Sequence, residues 1–159
     1  MSPVRVGAVV SIKNVVANEG ETLVATCELG EEQMSNNNIG TGIKWLSAPE
    51  DKNYPAAESF LSLIYDGEQV GHIVAKLREA PMAKFKAKDI FRASGLSLLG
   101  VSNSHVERDR KKIKDGTGLS PLLLVRDPQN GKAIIADGYH RMCAVYSFNE
   151  DEWIPCKIA

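Results

Sequence analysis

One stretch, residues 134–145, constrains the fold more than any other part of this chain. It runs Ile-Ile-Ala-Asp-Gly-Tyr-His-Arg-Met-Cys-Ala-Val, an apolar segment, a break at Asp137-Gly138 and a helical segment that opens with His140 and Arg141. The N–H groups of a helix start have no intrahelical acceptors and lie at the positive end of the helix dipole, so they attract anions. An imidazole and a guanidinium add further donors. The pattern therefore predicts a strand-to-helix junction that binds an anion.

The length and composition of the chain predict one ordinary globular domain. It has 159 residues, 43% of them hydrophobic, enough for one core but too few for two substantial ones. We expect a strand pair at 4–16 and 22–29 and a linker at 30–42, so that residues 1–43 form an appendage. Residues 44–159 then form the main domain.

The sequence favours a cytoplasmic protein with no membrane partner. No apolar run approaches the roughly 18 to 20 residues of a membrane span, and the N-terminus lacks the features of a signal peptide. Cys27, Cys143 and Cys156 are odd in number and lack metal-site spacing, which favours reduced thiols and no structural metal.

Apolar periodicity and turn residues predict an α+β fold, a small mixed β-sheet with flanking helices. A first helix begins near Pro55, a second ends near Arg78, and Asp89 and Ser104 are the predicted N-caps of two more. The predicted elements after the second helix are a strand at 84–87, helices at 89–93 and 105–114, a hairpin of strands 122–125 and 132–136, a helix at 139–148 and a strand at 153–158.

The net charge of −1 conceals an uneven distribution. Residues 1–75 carry 4 basic and 10 acidic side chains, whereas residues 76–114 carry 11 basic and 4 acidic ones. A basic stretch attracts phosphates, so residues 84–114 are a candidate nucleic-acid surface. The alternative is that these lysines and arginines are solvated on exposed helix faces.

The hairpin and the motif that follows it resemble the ParB/sulfiredoxin superfamily. The matching residues are Ser120-Pro121-Leu-Leu-Leu-Val, a turn, and Ala133-Ile-Ile-Ala-Asp-Gly-Tyr-His-Arg-Met-Cys-Ala, and the likeness extends over roughly 84–158. Proteins of that superfamily cradle nucleotide phosphates at the start of this helix. The Asp-Gly-x-His-Arg form is most similar to that of the free-serine kinases.

The resemblance implies a role for each residue of the motif. Gly138 is the close-approach glycine, His140 and Arg141 bind phosphate, and Asp137 orients or activates a reactant. Tyr139, which would also border the nucleotide, stands where sulfiredoxins carry the catalytic cysteine, so the reductase reaction is not expected. The resemblance also implies that Ser104 and His105 face the same cleft as a second anion position.

Each of these roles has a structural alternative. Asp137 can simply accept N–H bonds in its turn, and His140 can cap the helix or fill a polar edge. Arg141 can form a surface ion pair with Asp151 or Glu152, and Ser104 can serve only as a helix cap.

Two classes of function remain open from the sequence. One is a phosphotransferase or nucleoside-triphosphate hydrolase that uses ATP, ADP or CTP with Mg²⁺, with Asp137 and His140 as catalytic residues and Glu107 as a less favoured carboxylate. The other is a regulator that senses a nucleotide or phosphorylated small molecule, or binds nucleic acid, without turnover. The sequence leaves open whether the protein forms a homo-oligomer.

Overall fold

The computed structural model describes residues 42–159, which form an α+β fold with a four-stranded mixed sheet and five helices. The elements in chain order are α1 Asn53–Leu61, α2 Gly67–Glu79, β1 Ala83–Lys86, α3 Ala87–Ser94, α4 Ser104–Lys114, β2 Leu122–Asp127, β3 Lys132–Asp137, α5 Tyr139–Phe148 and β4 Trp153–Ile158. The predicted strand pair at 4–16 and 22–29, and nearly all of the predicted linker, lie outside these residues. None of the helices described is long and apolar enough to cross a membrane.

The strands lie side by side in the order β1-β4-β2-β3. β2 and β3 form an antiparallel hairpin, β1 pairs antiparallel with β4, and β2 and β4 run parallel. A parallel pair requires a crossover connection, and α5 supplies it between the hairpin and β4. The start of α5 is therefore fixed at the end of β3.

Helices pack against both faces of the sheet, which explains the uninterrupted apolar run of β2. Leu122 and Leu124 belong to a core shared with α3, α4 and α5, whereas Leu123 and Val125 belong to a second core under α1 and α2. All four side chains are buried, because a strand between two helical layers has no solvent face.

Helix α5 contains the longest run of buried residues among the five helices described. Four consecutive residues, Met142 to Val145, are fully inaccessible to solvent. Because consecutive positions point to different sides of a helix, this middle turn of α5 lies inside the core. Its first backbone bond runs from the Met142 N–H to the Gly138 carbonyl, 2.9 Å away.

The predicted N-caps of α3 and α4 are both wrong. Asn103 caps α4, since its side-chain oxygen accepts bonds from the N–H groups of His105 and Val106 at 3.0 and 3.3 Å. At α3 the chain turns directly out of β1, and carbonyls of Glu150 and Glu152 accept the first two N–H groups of the helix. Asp89 lies within the first turn and pairs with an arginine instead.

We expect Asn103→Ala to lower the free energy of unfolding by about 1 kcal/mol, because it removes the acceptor for two N–H groups. Ser104→Ala, one residue along, should change it by less than about 0.5 kcal/mol. Urea denaturation of the two variants measures both values. Equal losses would contradict the assignment of Asn103 as the cap.

Candidate functional site

The junction between β3 and α5 requires glycine at position 138. Gly138 has φ of 101° and ψ of 16°, a conformation that other L residues rarely adopt. A Cβ atom there would lie 2.8 Å from Leu122 Cγ and 2.9 Å from Arg141 Nη2. The absent side chain lets the backbone approach β2 and brings the Arg141 side chain over the turn.

Side chains from three parts of the chain converge beside this turn and line a cleft of about 410 Å³. The turn and α5 contribute one group, the segment before α1 a second, and α4 a third. We call this the junction cleft, and its lining residues are Glu50, Lys52, Arg108, Asp109, Lys112, Asp137, Gly138, His140 and Arg141. Four of the residues singled out in the motif are thus brought together around one hollow.

Asp137 and Arg141 form an ion pair across the junction. Arg141 Nη2 lies 2.5 Å from Asp137 Oδ2, and both side chains are largely buried. The buried Arg141 Nε has no hydrogen-bond partner within residues 42–159. Arg141 therefore does not pair with Asp151 or Glu152, the surface alternative, and part of its guanidinium still lacks an acceptor.

His140 lines the cleft in a setting that disfavours its charged form. Burial is the main cause that lowers the pKa of His140, and the positive charges of Arg108 and Arg141 add to it. His105 also lowers this pKa, while the Asp109 carboxylate opposes the shift. The imidazole is consequently mostly neutral at neutral pH, with one nitrogen to donate and one to accept.

Two further ion pairs line the cleft, and a fourth cation contacts an imidazole. Lys52 Nζ lies 2.9 Å from Glu50 Oε1, and Lys112 Nζ lies 3.1 Å from Asp109 Oδ1. Arg108 instead contacts a ring nitrogen of His105, at 3.1 Å. Four cationic side chains and three carboxylates line the cleft, so its formal charge is +1 with His140 neutral.

The other residues named from the motif lie outside the lining of the junction cleft. The Tyr139 hydroxyl donates to the Ser97 carbonyl and so ties α5 to the loop before α4. Ser104 is exposed in the first turn of α4. The His105 ring lies 4.9 Å from that of His140, centroid to centroid, and so stands next to a lining residue.

The two described cysteines, Cys143 and Cys156, carry buried free thiols. Burial raises the pKa of Cys143, and it raises that of Cys156 to about 11. Both thiols are therefore protonated at neutral pH, whereas the reactive form of a cysteine is the thiolate.

Five residues that line the junction cleft were not predicted from the sequence. Arg108, Asp109 and Lys112 could have been found, because Lys112 follows Arg108 by four residues and Asp109 by three, and these spacings place side chains next to each other on a helix. Glu50 and Lys52 carry no local signal. Their segment is fixed by long-range contacts, since the Glu50 N–H and the Asn53 side-chain amide both donate to the buried Ser120 hydroxyl, at 3.1 and 2.5 Å.

Two charged residues of α4, Glu107 and Arg110, do not line the junction cleft. Glu107 pairs with Arg110 at 3.4 Å and does not line the junction cleft. Arg110 itself packs over the ring of Phe148. Within residues 42–159 there is no group of three or more His, Cys, Asp or Glu side chains arranged to hold a metal ion.

Replacing Gly138 with alanine should cost about 3 kcal/mol of unfolding free energy, because it combines a strained φ with a contact to Leu122 that cannot relax. Gly131 is the matched control, since its φ is 63° but a Cβ would meet nothing within 4 Å. Gly131→Ala should cost only about 1 kcal/mol. Thermal and urea unfolding measure both free energies. If Gly138→Ala were no less stable than Gly131→Ala, the close approach of the Gly138 backbone to Leu122 would be refuted.

Comparisons with known proteins do not identify a ligand for the junction cleft. Comparison of the chain with protein-family models, with curated proteins and with solved structures found no match. The features of the cleft that bear on its ligand are the charges and hydrogen-bond donors of its lining.

Proposed function

We propose that the junction cleft binds the phosphate groups of a nucleotide or of a phosphorylated small molecule. The observation that carries this proposal is the convergence of His140, Arg141, Lys112 and Arg108 on one glycine turn at the start of a buried helix. Guanidinium and ammonium groups bind phosphate by charge-assisted hydrogen bonds. The helix start adds N–H groups and the positive end of its dipole.

The proposed ligand explains the ion pairs as well as the cations. A phosphate group brings two charges and several acceptor oxygens, so Arg141 and Lys112 can exchange part of their contact with Asp137 and Asp109 for contact with the ligand. The carboxylates released in this way would face the same hollow. They supply the one or two protein ligands that a phosphate-bound Mg²⁺ ion normally takes.

We further propose that the chain is a member of the ParB/sulfiredoxin superfamily. Support comes from the Asp-Gly-x-His-Arg run, which lies at a strand-to-helix junction on a mixed sheet, the context in which such a motif has meaning. Membership favours ATP, ADP or CTP as the nucleotide.

The favoured activity is phosphotransfer or nucleoside-triphosphate hydrolysis. His140 and Arg141 would bind and orient phosphate oxygens, and Asp137 would accept a proton from the attacking hydroxyl or water. Mg²⁺, when bound with the nucleotide, neutralises charge on the phosphates. Asp137 is well placed for its role because it adjoins the turn, but it must first release Arg141.

Two neighbouring lysines on α4 provide a matched test of nucleotide binding. Lys112 lines the junction cleft whereas Lys111 does not, and each substitution to alanine removes one charge from the same helix. Lys112→Ala should weaken binding of ATP or CTP with Mg²⁺ by about fivefold or more, and Lys111→Ala by less than about twofold. Isothermal titration calorimetry measures both affinities.

Arg141→Ala should cause a larger loss of nucleotide affinity in the same experiment. Because it removes a bidentate donor and leaves Asp137 unpaired, it should weaken binding by at least about tenfold. Equal effects of Lys111→Ala and Lys112→Ala on affinity would mean that the nucleotide responds only to the overall positive charge of α4 and not to a contact in the cleft. That result, or a failure of the wild-type protein to bind any of the three nucleotides, would overturn the proposal.

A nucleotide-sensing regulator without turnover is the second candidate, and the Asp137–Arg141 ion pair favours it. A carboxylate held 2.5 Å from a guanidinium is already engaged and is not free to contact a reactant. Nucleic-acid binding through residues 84–114 has weaker support, since Lys86 and Lys88 both pair with Asp151. DNA binding that depends steeply on salt but not on Arg141 would nevertheless locate function there.

Turnover separates the enzyme from the sensor. We expect wild-type protein with Mg²⁺ and nucleotide to release or transfer phosphate, and Asp137→Asn to lower the rate by at least about 100-fold while nucleotide binding persists. A coupled phosphate assay and mass spectrometry of candidate acceptors measure the rate. Nucleotide binding by both proteins with no phosphate release above the uncatalysed rate would identify a sensor, and equal release above that rate would exclude Asp137 as the base.

A further inference from the structure

A second hollow lies at the opposite end of the β2–β3 hairpin from the junction cleft. It opens between α3 and the sheet, and its apolar floor is built from Phe85, Ile90, Leu124, Ala133 and Ile158. Asp137 and Ala133 stand four residues apart on β3, a distance of about 13 Å along an extended strand. The two hollows therefore belong to different ends of the fold.

The shortness of α3 and the small side chains around it account for this hollow. With eight residues, α3 extends for only about 12 Å and leaves the ends of β2 and β4 uncovered on that face. Ala93 on the helix and Ala133 on the strand reach little way into the gap. The resulting hollow of about 300 Å³ is at the lower end of the range for small-molecule sites.

The rim of this hollow carries unequal charges. Asp89 is already paired with Arg92, at 2.8 Å. Arg126, on the opposite side, has no carboxylate within ion-pairing distance among the residues that the structure describes. The Lys132 ammonium lies near Gly95 at the end of α3, 3.7 Å from the position of a Cβ on that glycine. A negatively charged group would therefore be favoured at the Arg126 side.

The position of the Arg126 guanidinium also favours a negatively charged group on this side of the hollow. Its charge opposes the rise in the pKa of the buried Cys156 thiol, which burial alone would raise further. Such an electrostatic effect weakens with distance, so the guanidinium, although exposed, lies close enough to the sheet for its charge to act on this thiol. Arg126 thus stands as a cation at the edge of an apolar floor.

We propose that this hollow binds a small apolar carboxylate, with its hydrocarbon body on the floor and its carboxylate on Arg126. Apolar surface supplies the affinity, and the guanidinium fork matches the two oxygens of a carboxylate. Since a water molecule takes about 30 Å³ in the liquid, the hollow has room for roughly ten non-hydrogen atoms. A short branched-chain or phenyl-bearing free acid fits that volume. The site is independent of the phosphate chemistry proposed for the junction cleft.

The test compares 3-phenylpropionate with its neutral amide, 3-phenylpropionamide, on the full chain by calorimetry. The acid should bind with a Kd of about 1 mM or tighter and about tenfold more tightly than the amide, because the bond to Arg126 is charge-assisted. Arg126→Gln should reduce the affinity for the acid to that for the amide. The exposed position of Arg126 allows this variant to fold.

A second variant tests the location without touching the charge. Ala93→Leu, at an exposed position of α3, places a larger side chain over the floor and should abolish binding of both compounds. Its circular dichroism spectrum and melting temperature report that it has folded. Equal affinity of the wild-type protein for acid and amide, the absence of binding at several millimolar, or unchanged binding by folded Ala93→Leu would each overturn the proposal.

Discussion

The burial of α5 is the constraint on which the rest of this structure depends. Four successive residues of that helix are removed from solvent, so the helix can start only where the chain emerges from β3. A strand that turns into a buried helix within one residue needs a backbone conformation that glycine alone adopts readily. Packing in the core thus places polar side chains at the surface opening beside Gly138, and the position of the junction cleft follows from hydrophobic burial.

Three of the four cationic side chains of the junction cleft are paired with carboxylates, so the cleft is not an open positive patch. Arg141, Lys112 and Lys52 each face a carboxylate, and Arg108 faces an imidazole. Such an arrangement limits the cost of keeping charges partly buried when the cleft holds only water. It also means that a ligand must compete for each cation, so geometry and ligand charge together determine which anions are accepted.

The elements of this domain were largely predictable from the sequence, while the lining of the cleft was not. The hairpin, α5 and β4 follow from apolar runs bounded by Asp137-Gly138 and similar breaks, signals that are local. The N-cap of α4 was misplaced by one residue because Asn103 and Ser104 are both good caps. Glu50 and Lys52 could not be predicted, since hydrogen bonds to Ser120, about 70 positions away in sequence, bring them to the site.

The position of β4 has a consequence for how the domain is made. β4 lies in the interior of the sheet, between β1 and β2, although it comes after every other strand in the chain. During synthesis, β1 has no partner for its backbone groups until residues 153–158 leave the ribosome. The early helices and the hairpin can form as they emerge, but the four-stranded sheet cannot be completed before β4 is available. A nascent chain stalled before Trp153 would expose two strand edges and be a substrate for chaperones.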